Sequence, residues 1–399
     1  MATGFVALRG TSLRVIIAMD SFKGSIMSMQ AGAAVKNGLL SVFPHAEVLV
    51  FPMADGGEGT VDAMVAGMGG VIVNKCVTGP LGLKVDAAYG IIEHSKLAII
   101  EIMQAAGLTL VMPEERNPMN TTTYGVGELI LDALDKGCRE FIIGLGGSAT
   151  NDAGLGMLSA LGFRFFDDAG NPVGIYGKNV ADIRDFDIVH SDNRLKACRF
   201  NIASDVSNPL CGKSGASAIF GPQKGASAKL VKQLDSALSE FSQLAAQRIG
   251  YDYSNVPGSG AAGGLGFGFL SFLNASVRSG VEVVIEAVGL ETAIKDADIV
   301  ITGEGKLDAQ TVMGKVPQGV AGLAKKHGAI VVAFSGCAAP NALICNEHGI
   351  DAFFPIISMP LSLEEAMDAV TTERNLTSMA KQVFLLVNAL TASSRLRFA

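Results

Sequence analysis

Cysteine is sparse and shows no pairing pattern. Cys76, Cys138, Cys198, Cys211, Cys337 and Cys345 form no CxxC motif, and the five histidines supply no HxxxH. That argues against a zinc site or a disulfide framework and reads as the reduced thiols of a cytosolic protein. Basic clusters are missing as well. The formal net charge is −7 with no block of Lys and Arg, so a nucleic-acid surface, which needs clustered positive charge to release counterions, is not expected. Long hydrophobic runs are absent: the longest, Leu97 to Met112, is broken by Glu101 and Gln104 and is too short and too polar to span a bilayer. The first dozen residues lack the apolar run and cleavage site of a signal peptide. Residues 1–13 therefore read as a disordered leader, the cytoplasm as the default location, and no membrane partner is expected.

Glycine, by contrast, is abundant, with 48 residues gathered in short runs within a chain that is 49% hydrophobic. Such runs mark tight bends or close approaches of backbone to a ligand. A length of 399 residues suggests two or three domains. Strands are expected at Arg14–Met19, Ala46–Pro52 and Gly70–Val77, with helices at Gln30–Phe43 and Thr60–Met68 between and after them. The same rhythm returns with a strand at Asp298–Thr302, a helix at Val316–His327, strands at Ala329–Phe334 and Asp351–Ile357, and closing helices within Leu363–Leu390. Strand alternating with helix predicts a parallel sheet covered by helices. The middle of the chain is less regular and reads as an inserted second domain, with a ligand cleft between the lobes. The expected fold is α/β: a Rossmann-like three-layer α/β/α domain from residues 14–80 and 286–391, with a second α/β domain, 81–285, inserted.

Two near-matches to nucleotide motifs carry little weight. Ser207–Ser214, SNPLCGKS, has Ser where a P-loop needs its first Gly and contains Pro209; GSGAAG at Gly258–Gly263 follows a polar run rather than a strand. Loops that do follow strands are more informative. After a strand at Phe141–Leu145, Gly146, Gly147, Ser148, Ala149, Thr150, Asn151 and Asp152 open a helix, which suits either phosphate binding by backbone N–H groups or a capped tight turn. Asp20-Ser21-Phe22-Lys23-Gly24-Ser25 collects a carboxylate, hydroxyls and an amine at one strand end, where Lys23 could hold a carboxylate or phosphate as a point charge. Asp55-Gly56-Gly57-Glu58-Gly59-Thr60 crowds two acids into a glycine turn, which a cation or substrate would balance. Glu304, Lys306 and Asp308 follow a further strand and suit metal–phosphate handling; Asp205 and Lys224 lie in additional polar loops.

This series of motifs resembles the type I glycerate kinase family. The resemblance rests on DSFKGS at 20–25, PMADGGEGT at 52–60, TGPLG at 78–82, RNP with TTTYGVGELI at 116–130 and GLGGSATNDAGLGM at 144–157. It continues through NPL with IFGPQKGA at 208–226, PGSGAAGGLG at 257–266 and ITGEGKLDAQT with GKVPQGVA at 301–321. It runs from about residue 14 to about residue 391. Met19, Ala106, Ala153 and Ser204 depart from the family's usual Pro, Ser, Gly and Cys. The resemblance implies transfer of the γ-phosphate of ATP to D-glycerate with Mg2+, giving 2-phosphoglycerate, and two α/β domains. The 3-phosphoglycerate product stays open on these residues, and a homo-oligomer is compatible with them. A two-lobed binding protein without turnover would not need so many acidic glycine loops. Residue type and strand-end position then suggest roles. Ser21 and Lys23, with Gly56, Gly57 and Glu58, are expected to hold the acid, and Asp20 or Asp55 to take the hydroxyl proton. Gly146, Gly147, Ser148, Asn151 and Lys224 are expected to cradle phosphates, and Glu304, Asp308 and Asp205 to serve magnesium.

Overall fold

The computed structural model describes residues 13–393. Most of the expected leader, residues 1–12, lies outside that range, but Leu13 is ordered: its carbonyl accepts the Glu47 amide at 2.9 Å. In chain order the strands are β1 (Arg14–Met19), β2 (Glu47–Pro52), β3 (Val71–Thr78), β4 (Lys84–Ile92), β5 (Leu97–Glu101), β6 (Glu140–Gly144) and β7 (Arg164–Phe166). They continue as β8 (Asp185–Asp187), β9 (Arg199–Ala203), β10 (Ser276–Arg278), β11 (Ile299–Leu307), β12 (Ile330–Ala338) and β13 (Ala352–Pro355). The chain folds into two compact units, one running up to Asp55 and resuming at Val284, the other Gly56–Val283.

The first unit holds a five-stranded parallel sheet in the order β13-β12-β11-β1-β2. Within it β1, RVIIAM, lies between β11 and β2 and is buried from Val15 to Met19, as an apolar run covered on both faces should be. Helices Ser28–Leu40 and Ala369–Ala392 pack together over one core, with Ile17, Ile301, Phe334, Leu376 and Phe384 fully or almost fully buried in it. Helix Val316–Lys326 packs on β11 and β12. From β1 the chain crosses to β2 on one side, while β11, β12 and β13 extend on the other. The direction of winding therefore reverses between β1 and β11, and ligands of doubly wound sheets bind beyond the carboxyl ends of such a pair.

The second unit holds a six-stranded mixed sheet, β10-β9-β6-β5-β4-β3, in which β10, β9, β6 and β5 run parallel and β4 pairs antiparallel with both β5 and β3. A small antiparallel pair, β7 with β8, stands apart. The first crossing between units falls at Asp55 rather than near residue 80. The reason is local: β3 pairs with β4 from Val71↔Ile91 to Thr78↔Lys84 through the tight TGPLG turn, which commits residues 56–80 to the second sheet. The return crossing follows Val283. Another difference concerns β11, which continues through GEGKL to Leu307 instead of ending at Thr302. No helix among the described residues is long and apolar enough to cross a membrane.

Candidate active site

Beyond the β1–β11 carboxyl ends lies a cavity of about 500 Å³ within the first unit. Its lining includes Asp20, Ser21, Lys23, Asp55, Glu304, Asp308 and Lys315, together with the apolar Ile356, Leu363 and Met367. Asp20 leaves β1 with its amide bonded to the Gly303 carbonyl at 2.9 Å, which ties the loop to β11. The DSFKGS turn closes on itself through Phe22 and Ile26.

Four carboxylates shape the field of this cavity. Asp20 is 3% exposed, and its Oδ1 accepts the Ser21 amide at 2.7 Å. Burial first, and then the charges of Asp55 and Glu304, push its pKa up to about 7, against the pull of Lys23 and the Ser21 amide. Lys23 Nζ lies 3.3 Å from Asp55 Oδ2. Burial opposes the charge on that amine, but Asp55 and Asp20 outweigh it and hold Lys23 above its ordinary value. Glu304 stands within β11 and is buried. Its Oε1 accepts from Thr311 Oγ1 at 2.6 Å, and its Oε2 is 3.5 Å from Lys315 Nζ. Burial raises it despite both partners. Asp308 faces Lys306 at 3.2 Å and is held low first by the Gln310 amide. Among the described residues, no three His, Cys, Asp or Glu side chains are grouped to hold a metal by themselves. Glu304 and Asp308 nonetheless fit a hard cation of the magnesium type, which takes one or two carboxylates and completes its shell with phosphate oxygens and water. Burial, and then the charges of Asp55 and Glu304, raise the Asp20 pKa, and a cation bound beside these acids would relieve part of that crowding.

The remaining expected residues lie in the second unit. Gly146 and Gly147 are exposed at the carboxyl end of β6, Gly147 in a left-handed conformation at φ 71°. The loop is pinned by the Leu108 amide on the Gly147 carbonyl and the Ala149 amide on Ala106, each at 2.8 Å. Lys224 is only 2% exposed and donates to Ser148 Oγ at 2.8 Å and to the Thr150 carbonyl at 2.7 Å. Burial lowers its pKa to about 7, opposed by the charge of Asp152. Asn151 is fully buried against Ser217 Oγ at 3.1 Å. Lys224 and Asn151 therefore brace the loop from inside. Gly56 and Gly57 form the turn before helix Thr60–Met68, Glu58 is exposed, and Asp205 is exposed and accepts the Gly280 amide at 3.2 Å. Asp20, Ser21, Lys23, Asp55, Glu304 and Asp308 share the one cavity; Asp205 does not line it.

Two buried carboxylates stand outside the expected site residues. Asp152 is fully buried and accepts from Thr123 N, Thr123 Oγ1, Gly154 N and Gly156 N at 2.8–3.3 Å, which makes it the knot of the loop after β6. Its place in the Asn151-Asp152 pair of a loop that opens a helix was the available signal. Glu101, 4% exposed at the end of β5, accepts the Val61 amide at 2.8 Å; burial drives its pKa up to about 7 against that bond. A lone acid inside an otherwise apolar run was its signal. The apolar wall of Ile356, Leu363 and Met367 had none.

The glycerate kinase family model matches residues 15–388. A glycerate kinase of Haemophilus influenzae is 46% identical over 93% of this chain and 98% of its own. A glycerate 2-kinase of Escherichia coli K12 is 46% identical over 89% of this chain and 93% of its own. A crystal structure assigned as glycerate kinase 2 from Salmonella typhimurium LT2 superposes with a TM-score of 0.88 at 42% identity, covering 96% of this chain and all of that one. A family model matched across nearly every motif named above, relatives of such identity and a shared fold together establish this chain as a kinase enzyme belonging to the glycerate kinase family.

Proposed function

We propose that this enzyme transfers the γ-phosphate of ATP to the 2-hydroxyl of D-glycerate, giving 2-phosphoglycerate and ADP, with Mg2+. One observation carries the reading: a buried carboxyl with a pKa near neutrality, Asp20, shares a cavity with three lysines, Lys23, Lys306 and Lys315, and further acids. A general base works best when its pKa lies near the working pH, and a placed base contributes about 10²–10⁴ in rate. Asp20 takes the proton of the attacking hydroxyl. The hydroxyl oxygen bonds to the γ-phosphorus as the bond to the bridging oxygen of ADP breaks, so Asp20 ends protonated. Lys23, with Ser21 beside it, receives the acid's carboxylate, and Asp55 aims Lys23. Gly56, Gly57 and Glu58 complete the acid's contacts. The nucleotide phosphates lie on the exposed amides of Gly146 and Gly147, in a loop that Ser148, Asn151 and Lys224 keep in shape. Glu304 and Asp308 would hold Mg2+, which would neutralise charge on the phosphate oxygens. The E. coli relative's designation as a glycerate 2-kinase favours the 2-hydroxyl over the 3-hydroxyl.

The test is ADP release from ATP that depends on D-glycerate, measured for the wild type, Asp20→Asn and Asp55→Asn with folding checked separately. Loss of turnover in folded D20N supports the assignment. Near-normal turnover in D20N would remove Asp20 as the base, and near-normal turnover in D55N would remove Asp55 from the site.

A further inference from the structure

The acidic glycine turn lies along a single row of residues at the carboxyl edge of the second unit's sheet. Glu101, Gly144 and Ala203 are mutual register partners on β5, β6 and β9. The turn meets all of them in order. At Ala203, a Cβ on Gly56 would sit 2.9 Å from the alanine methyl and 3.0 Å from its carbonyl oxygen. At Gly144, a Cβ would come within 2.4 Å of the Gly56 carbonyl oxygen. At the third position the small residues give way to a long one, and the Glu101 carboxylate accepts the Val61 amide at 2.8 Å, with the Thr60 amide also bonded to it. These amides open helix Thr60–Met68, whose N-cap is Gly59, a residue with no side chain to cap them. Glu101 therefore does from across the sheet what a Ser or Asp cap does locally. The turn also lies against the phosphate loop, since a Cβ on Gly146 would lie 3.3 Å from Gly57 Cα.

We propose that this row is a positioning device for the acid-binding turn, with Gly144 and Ala203 as the floor and Glu101 as the clamp that fixes where Gly56, Gly57 and Glu58 stand. The inference rests on the assignment of that turn to the D-glycerate subsite. Glu101 touches no substrate and acts only through the turn. Two unrelated perturbations should then produce the same kinetic defect: releasing the clamp, or lifting the turn off its floor with one methyl group.

The experiment compares E101A, G144A, E101Q and the double variant E101A/G144A in the full chain. It measures kcat, the KM for D-glycerate, the Kd for ATP and the far-UV circular dichroism. Loss of a helix-start cap converts to roughly ten-fold in an equilibrium. E101A and G144A are thus each expected to raise the KM for glycerate about ten-fold, with ATP binding held within about two-fold. E101Q keeps an acceptor oxygen at the same reach and should stay within about three-fold of wild type. Because both changes move one turn, the double variant should fall short of the product of the singles. If E101A or G144A does not fold, E101D, whose carboxylate is one methylene short, must show the KM increase. An unmoved KM for glycerate in folded variants overturns the clamp, as does an equal loss of ATP affinity. Absence of glycerate-dependent turnover in the wild type defeats instead the functional assignment on which the clamp rests.

Discussion

Replacing Asp20 by Asn should stabilise the protein at alkaline pH while removing its activity. In the folded chain Asp20 keeps its proton up to about pH 7, whereas an unfolded Asp loses it near 3.8. Between those values the folded state binds the extra proton, so stability falls as pH rises through the window and the full cost is reached above it. At about 1.4 kcal/mol for each pH unit that the window spans, the ceiling of that cost is about 4 kcal/mol. Asn retains the Oδ1 that takes the Ser21 amide and carries no charge beside Asp55 and Glu304. Imperfect partners for its buried amide offset part of the gain, leaving an expected net stabilisation of about 1–3 kcal/mol near pH 8. The chain has no tryptophan, so urea unfolding is best followed by far-UV circular dichroism. The advantage of D20N should shrink to less than half near pH 5, roughly in proportion to the part of the window left below that pH. A variant no more stable than wild type near pH 8, or an advantage that does not change with pH, would refute the reasoning. The combination of higher stability with lost turnover is what a strained functional carboxylate predicts.

Further outcomes follow from the same geometry. Lys224→Met removes the bonds to Ser148 and the Thr150 carbonyl. It should weaken ATP binding by about ten-fold or more, read by nucleotide titration, because each buried partner left unpaired costs about 1–3 kcal/mol. Gly263→Ala should destabilise the second unit by more than about 2 kcal/mol in a urea melt. Its φ is 71°, and an added Cβ would sit 2.0 Å from the Thr150 carbonyl oxygen. Glu304→Gln should raise the Mg2+ concentration needed for half-maximal rate while leaving the thermal midpoint at or above that of wild type, since burial already penalises the Glu304 charge.

Much of the first unit was legible because its strands are continuous apolar runs, such as RVIIAM, punctuated by helices with clear stops. In the second unit, helix Thr60–Met68 matches its expected bounds residue for residue. The position of the first crossing was not legible. Whether VIVNKCVT joins a parallel sheet or turns back on KVDAAYGII depends on the short turn after it, and the apolar pattern of the strand is the same in either case. At the site, the strand-end residues Asp20, Asp55 and Glu304 line one cavity. Burial was the missing quantity. Lys224 and Asn151 have the chemistry to touch phosphate, but their polar atoms are engaged inside the loop, and only tertiary packing decides that. Glu101 was hidden for the opposite reason. Within an apolar run it reads as an interruption, and its partner amide lies 40 residues away in sequence.

The most direct test of the account is phosphorus NMR of the product formed from ATP and D-glycerate by the purified full chain with Mg2+. Phosphate on the 2-oxygen is attached to a carbon bearing a single hydrogen, and the account predicts a proton-coupled doublet together with an equal amount of ADP. A triplet, from phosphate on the 3-oxygen, would contradict the assignment of the hydroxyl, and ADP formation indifferent to D-glycerate would contradict the reaction itself.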